Sequence, residues 1–171
     1  MKNLFVTITL ALISITASAQ KVEVKTDDFT GEKIVTTDYL KVYQGGATAK
    51  NQTRIRFRHE NNEDYIEYRI FTDAVASCRE GSKMLVKTDG GIVETPNTAF
   101  VVAEPGAWSA KPVNSNLGIY IVCSCKVADL QGKTVQKIRF NLSDGYIDID
   151  IKDKDAAKFQ QYVEAFIKAV N

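Results

Sequence analysis

From Val22 onward most of the chain alternates apolar and polar residues at period two, the pattern of strands with one buried face. Val22 and Val24 alternate with Lys21, Glu23 and Lys25. Asp27-Asp28-Phe29-Thr30-Gly31 then reads as a turn into a second strand over 33–43, and Gly45-Gly46 breaks the chain. Thr53 to Glu60 sets Ile55, Phe57 and His59 on one face and Arg54, Arg56 and Arg58 on the other. Asn61-Asn62-Glu63-Asp64 is a turn cluster, and Tyr65 to Phe71 returns. A loop of four fixes the register by arithmetic: inward pairs His59/Ile66, Phe57/Tyr68 and Ile55/Ile70, outward pairs Arg58/Glu67, Arg56/Arg69 and Arg54/Phe71.

Two further hairpins follow. Ser82 to Thr88 and Ile92 to Thr95 flank Asp89-Gly90-Gly91, and Lys133 to Ser143 and Tyr146 to Ile151 flank Asp144-Gly145. Asp-Gly suits a two-residue type I′ turn, because both central positions need positive φ. That turn pairs Leu142/Ile147, Phe140/Ile149 and Ile138/Ile151 inward, with Arg139/Asp150 and Asn141/Asp148 outward. The chain ends in a helix over about 154–170. Phe159, Tyr162, Val163, Phe166, Ile167 and Val170 form its apolar stripe at steps of three and four, and Asp153 or Asp155 is placed to cap it. Between Pro96 and Gly118 the pattern is less regular, and the spacing predicts an edge strand at 98–103 followed by a covering loop. The fold class expected is mainly β: an antiparallel barrel or sandwich of eight to nine strands, built from hairpins and closed by one C-terminal amphipathic helix.

The first residues carry a different pattern. Met1-Lys2 is a short positive start, Leu4 to Ile15 is apolar apart from Thr7, Thr9 and Ser14, and Ala17-Ser18-Ala19 precedes Gln20. This is the form of a secretory signal peptide over 1–19, cleaved near Ala19-Gln20, with residues 20–171 as a single exported domain, secreted or periplasmic. The apolar run is shorter than the roughly 20 residues a spanning helix needs, so no transmembrane segment is expected. Loss of Lys2 leaves the 22 basic and 21 acidic residues of the chain balanced, which argues against nucleic acid as a partner.

Three cysteines in an exported chain leave one over. Cys123 and Cys125 share one face of a strand, so a disulfide would join Cys78 to Cys123 or Cys125; all three serving as small buried hydrophobes is the alternative. His59 is the only histidine, and its position on the inward face points to a core residue bonded to a backbone carbonyl. No G-x-S-x-G elbow or phosphate-cradling loop occurs, so neither catalytic residues nor a cofactor are expected. Asp144, Asp148, Asp150, Asp153 and Asp155 lack the calcium-loop spacing and read as a solvated strand face running into a helix cap, with no metal. Arg54, Arg56, Arg58 and Arg69, flanked by Tyr65 and Phe71, form the most distinctive surface: an anion- or glycan-facing patch, or a solvated face relieved by Glu63 and Glu67. The only tryptophan, Trp108, lies with Phe100 in the long loop, where it lines a pocket or plugs a sheet edge.

The G-S-K-M-L-V-K-T-D-G-G hairpin and the K-I-R-F-N-L-S-D-G-Y-I-D-I-D segment before the closing helix, with the leader, resemble small secreted β-domains of Bacteroidota. The order of strands followed by one helix is also similar to pleckstrin-homology-like barrels. Neither resemblance carries functional residues over. The function expected is a non-enzymatic exported binding or envelope-interaction domain whose partner is a protein, a glycan or a small ligand, with Arg54, Arg56, Arg69, Tyr65, Phe71 and Trp108 as its binding residues. The rivals are a small-ligand carrier using a barrel interior or mouth near Trp108, and a thiol enzyme pairing a cysteine with His59.

Overall fold

The computed structural model describes residues 22–43, 52–72, 74–108 and 117–171; the leader and Gly45-Gly46 lie outside them. Its strands are β1 (Val22–Thr26), β2 (Lys33–Thr37), β3 (Leu40–Tyr43), β4 (Gln52–Glu60), β5 (Glu63–Phe71), β6 (Ser77–Cys78), β7 (Lys83–Thr88), β8 (Gly91–Pro96), β9 (Val101–Val102), β10 (Glu104–Pro105), β11 (Leu117–Ser124), β12 (Val135–Leu142) and β13 (Gly145–Asp150), followed by helix α1 (Asp153–Val170). All the strand pairs are antiparallel. A large sheet runs β1-β2-β4-β5-β11-β10, with β3 beside β2 on the same edge of β4. A smaller sheet runs β13-β12-β7-β8, and β6 pairs with β9. No closed barrel forms among the described residues; the architecture is a sandwich with a helix.

The large sheet keeps its apolar face inward through Val35, Leu40, Val42, Ile55, Phe57, Ile66, Tyr68, Ile119 and Ile121, all buried. Two different elements cover that face. The small sheet covers one half, with Tyr68 edge-on to Phe140 at 4.9 Å between ring centroids. Helix α1 covers the other: Phe57 meets Phe159 at 5.4 Å and Phe166 at 5.7 Å. The stripe read from the sequence is therefore the buried side of α1, and buried side chains of both sheets and the helix pack into one core cluster. The helix starts after Lys152, whose extended backbone caps it without a side-chain bond. Asp153 and Asp155 lie in the first turn instead, where their charge suits the helix dipole.

Two registers differ from the arithmetic. Asn61 and Asn62 both take positive φ, +54° and +58°, and close the β4–β5 hairpin in two residues rather than four. The partners become Phe57↔Ile66, Ile55↔Tyr68, His59↔Asp64, Arg58↔Tyr65, Arg56↔Glu67 and Arg54↔Arg69. At the last hairpin Ser143-Asp144 forms the turn and Gly145 alone takes positive φ, +132°. Every pair moves by two residues, giving Ile138↔Ile149, Arg139↔Asp148 and Lys137↔Asp150. An even shift keeps each side chain on its expected face, so the core survives while the neighbours change. The segment expected as an edge strand at 98–103 contracts to the two residues of β9.

Candidate functional site

The outward side chains of the large sheet form rows across neighbouring strands. In one row Arg58 stands opposite Tyr65; in the next, Arg56 stands opposite Glu67. The third row joins Lys41 to Arg54, Arg54 to Arg69, and Arg69 to Tyr120 across β3, β4, β5 and β11. Three cations thus stand abreast on three adjacent strands. Like charges directly opposite one another destabilise a sheet.

Glu67 holds the second row together. Its carboxylate is buried on this outer face, accepting from Arg56 Nε at 2.5 Å and lying 2.8 Å from Arg58 Nε. Burial alone would lower the Arg56 pKa, but Glu67 outweighs it and the net shift is upward. Burial, reinforced by Glu67, pushes the Tyr120 phenol up to about 12. Tyrosines alternate with the arginines: Arg56 lies 4.6 Å from the Tyr39 ring, Arg58 4.9 Å from Tyr65, and Arg69 4.2 Å from Tyr120. Arg69 also donates to Tyr39 Oη at 2.8 Å and to the Ala107 carbonyl at 2.9 Å. Such stacking fixes guanidinium planes while leaving edge donors available.

Arg54 differs from Arg56 and Arg58. It donates to the Gln52 side chain at 2.9 Å, lies 5.7 Å from the Trp108 ring centroid, and meets no carboxylate among the described residues. Trp108 packs on Gly118, where an added Cβ would come within 2.4 Å of the tryptophan. The residue is 4% exposed, and its Nε1–H meets no acceptor among the described residues. Trp108 therefore stands on the outer face of the large sheet, not in an interior. Phe100 is separately exposed beside β9.

The expected set is only partly assembled. Arg54, Arg56 and Arg69 share the outer face with Trp108. Tyr65 lies on the same face but donates to Glu63 at 2.8 Å, and Phe71 ends β5 opposite Gly118. The like-charge pair expected between Arg56 and Arg69 lies instead between Arg54 and Arg69, because of the shorter Asn61-Asn62 turn. Lys41, Tyr39 and Tyr120 were missed. Alternation along Leu40-Lys41-Val42 puts Lys41 outward, but no local signal pairs β3 with β4.

A second constellation lies at the far end of β4. His59 Nδ1 is 2.7 Å from Asp64 Oδ1, so its partner is a carboxylate rather than the expected backbone carbonyl. The pair lines an open cleft of about 580 Å³ with Glu63, Glu94, Ser124 and Lys126. Ser124 belongs to the outward face of β11, whereas His59 belongs to the inward face of β4. Cys125 also borders the cleft, but burial, with Asp64 and Asp129 nearby, pushes its thiol up to about 12. Burial likewise raises Cys78 and Cys123. All three cysteines are free and buried, so the disulfide from Cys78 is not formed here. Neutral thiols are poor nucleophiles.

The acidic run resolves into surface ion pairs. Asp148 accepts two bonds from Arg139, at 2.7 and 2.8 Å, and Asp150 lies 3.0 Å from Lys137. Among the described residues no group of three or more His, Cys, Asp or Glu is placed to hold a metal ion, and no helix is long and apolar enough to cross a membrane. No protein-family model, curated protein or solved structure matches the chain.

Proposed function

We propose that this chain is an exported, non-enzymatic binding domain that takes an acidic glycan on the outer face of its large sheet. The observation carrying the reading is the row Lys41, Arg54 and Arg69, three cations abreast with Arg54 directly opposite Arg69. Adjacent strands lie about 4.8 Å apart, a spacing comparable to the length of one sugar unit. Carboxylates or sulfates on successive sugars can therefore meet successive cations. Tyr39 and Tyr120, both half-buried, border the row with ring faces and edges suited to sugar rings, and the buried Trp108 ring lies 5.7 Å from Arg54. The single core cluster shared by both sheets and the helix favours this surface over a carrier's interior. The neutral thiols favour binding over cysteine chemistry.

Calorimetric titration with dextran sulfate and with unmodified dextran tests the reading. The sulfated polymer binds, the neutral one does not, and added salt weakens the complex. Arg54→Gln reduces the affinity at least about tenfold, the loss of one charge-assisted contact. Equal binding of both polymers, or indifference to Arg54→Gln, overturns the proposal.

A further inference from the structure

We propose that a second copy of this chain docks on the free edge of β1, extending the large sheet across a two-fold axis. β1 ends the sheet. It pairs with β2 in unbroken register from Val22↔Thr37 to Thr26↔Lys33, and no described strand pairs with its other side. Open strand edges are ordinarily blocked by prolines, bulges, shortness or repelling charges. Three other sheet edges carry such devices: β10 has two residues and ends in Pro105, β8 ends in Pro96, and β13 presents Asp148 and Asp150. β1 has five regular residues, no proline and no bulge.

Its sequence, Val22-Glu23-Val24-Lys25-Thr26, is complementary to itself when run antiparallel about Val24. Val24 then faces Val24 of the other copy, each Glu23 faces a Lys25, and Val22 faces Thr26. Opposite charges at facing positions stabilise such a seam. Within one chain Glu23 and Lys25 bond each other at 3.0 Å, and both are well exposed, so both are placed to exchange partners across the axis. Val24 is 52% exposed on the other face of the strand. Among the described residues no other edge strand of five residues or more offers opposite charges placed symmetrically about an apolar centre.

The symmetry has a consequence for binding. An antiparallel seam between identical strands requires an axis perpendicular to the sheet. Rotation about that axis keeps the outer face of each copy on the same side. Two Lys41–Arg54–Arg69 rows then share one surface, and a polymeric ligand that reaches both gains by linkage. The seam itself does not depend on any ligand. Because it spans five residues, the dimer is weak and concentration-dependent.

Sedimentation velocity over a concentration series tests the pairing without ligand. The wild-type chain shifts from monomer to dimer as concentration rises. Lys25→Glu, which sets acid against acid twice, weakens dimerisation about tenfold or more. Adding Glu23→Lys to that variant restores it, since the exchanged charges again oppose. Val24→Cys, incubated with oxidised glutathione as the electron acceptor, gives a symmetric disulfide-linked dimer on a non-reducing gel, while the native thiols are buried. A monomer at every concentration, a dimer indifferent to Lys25→Glu, or failure of the double exchange to restore pairing overturns the proposal. Each result leaves the glycan reading standing, because that reading is tested on one copy's face.

Discussion

Arg56 and Glu67 face each other across β4 and β5, with Arg56 Nε 2.5 Å from a carboxylate that is only 1% exposed. Arg58 approaches the other oxygen of the same group at 2.8 Å. The buried acid thus anchors two of the four arginines, whereas Arg54 in the third row meets no carboxylate among the described residues. Glu67→Gln removes the anchor. Because both arginines retain some solvent, the loss is about 2 kcal/mol of stability rather than the larger cost of a fully enclosed pair. The same change makes the face more positive, so dextran sulfate binds more tightly to the variant. Denaturant unfolding and calorimetric titration of one preparation read the two opposite effects.

Gly118 gives the site its depth. A methyl group there meets Trp108 Cβ and the Trp108 backbone nitrogen at 2.4 Å, and the Ile70 carbonyl at 2.8 Å. Backbone atoms on both sides leave no flexible side chain to yield, so Gly118→Ala must push the tryptophan away. The expected result is a loss of about 1–3 kcal/mol, as in other overpacked sites, with a red shift of tryptophan emission as the ring meets water. An unchanged emission spectrum in a folded variant contradicts the packing described.

Alkaline pH tests the buried thiols. Cys123 and Cys125 are held above the ordinary value of 9.0 chiefly by burial, Cys125 up to about 12. In the unfolded chain they ionise near 9.0, so above that pH the native state binds more protons than the unfolded one. Their contribution is complete below pH 9.0 and is lost as pH rises toward the folded values. Each thiol steepens the fall by up to about 1.4 kcal/mol per pH unit. Tyr68, raised by its burial, adds to the fall above its ordinary value of 10.0. Cys125→Ala lowers the slope by one group, whatever it does to stability at neutral pH. Urea midpoints measured from neutral pH to about pH 10 resolve the difference.

The Asn61-Asn62 turn is open to a direct substitution. Both residues hold left-handed φ, which glycine accepts more readily than asparagine and alanine accepts poorly. Asn62→Gly leaves stability unchanged or raises it by a few tenths of a kcal/mol, whereas Asn62→Ala lowers it by about 1 kcal/mol. Thermal unfolding of the two variants side by side gives the order. The reverse order would restore the wider loop that the sequence alone suggested.

That turn marks where sequence reading stopped. Period-two alternation identified which face of β4, β5, β12 and β13 is buried, because burial selects residue type at every second position. It could not decide whether the β4–β5 turn closes in two residues or four, nor which two residues form the β12–β13 turn, since each choice keeps the faces. Partner identity therefore slipped by two places in both hairpins, moving the like-charge contact from Arg56 to Arg54. The surface of Arg54, Arg56 and Arg69 was visible as a pattern. Lys41 joined it only through the long-range pairing of β3 with β4. Trp108 was visible as a singular residue, but its seat depends on Gly118, which joins the tryptophan only when the sheet forms. His59 was placed on its correct strand face, yet Asp64 became its partner through the tighter turn.

Trp108 is the only tryptophan in the chain, so its emission, excited beyond tyrosine absorption, reports on this face alone. Titrating the protein with dextran sulfate while following that emission tests the central claim most directly. A saturable change that is abolished or moved at least about tenfold in concentration by Arg54→Gln, and absent with neutral dextran, is the result expected. Binding detected by calorimetry with no change in Trp108 emission would place the ligand elsewhere and contradict the account.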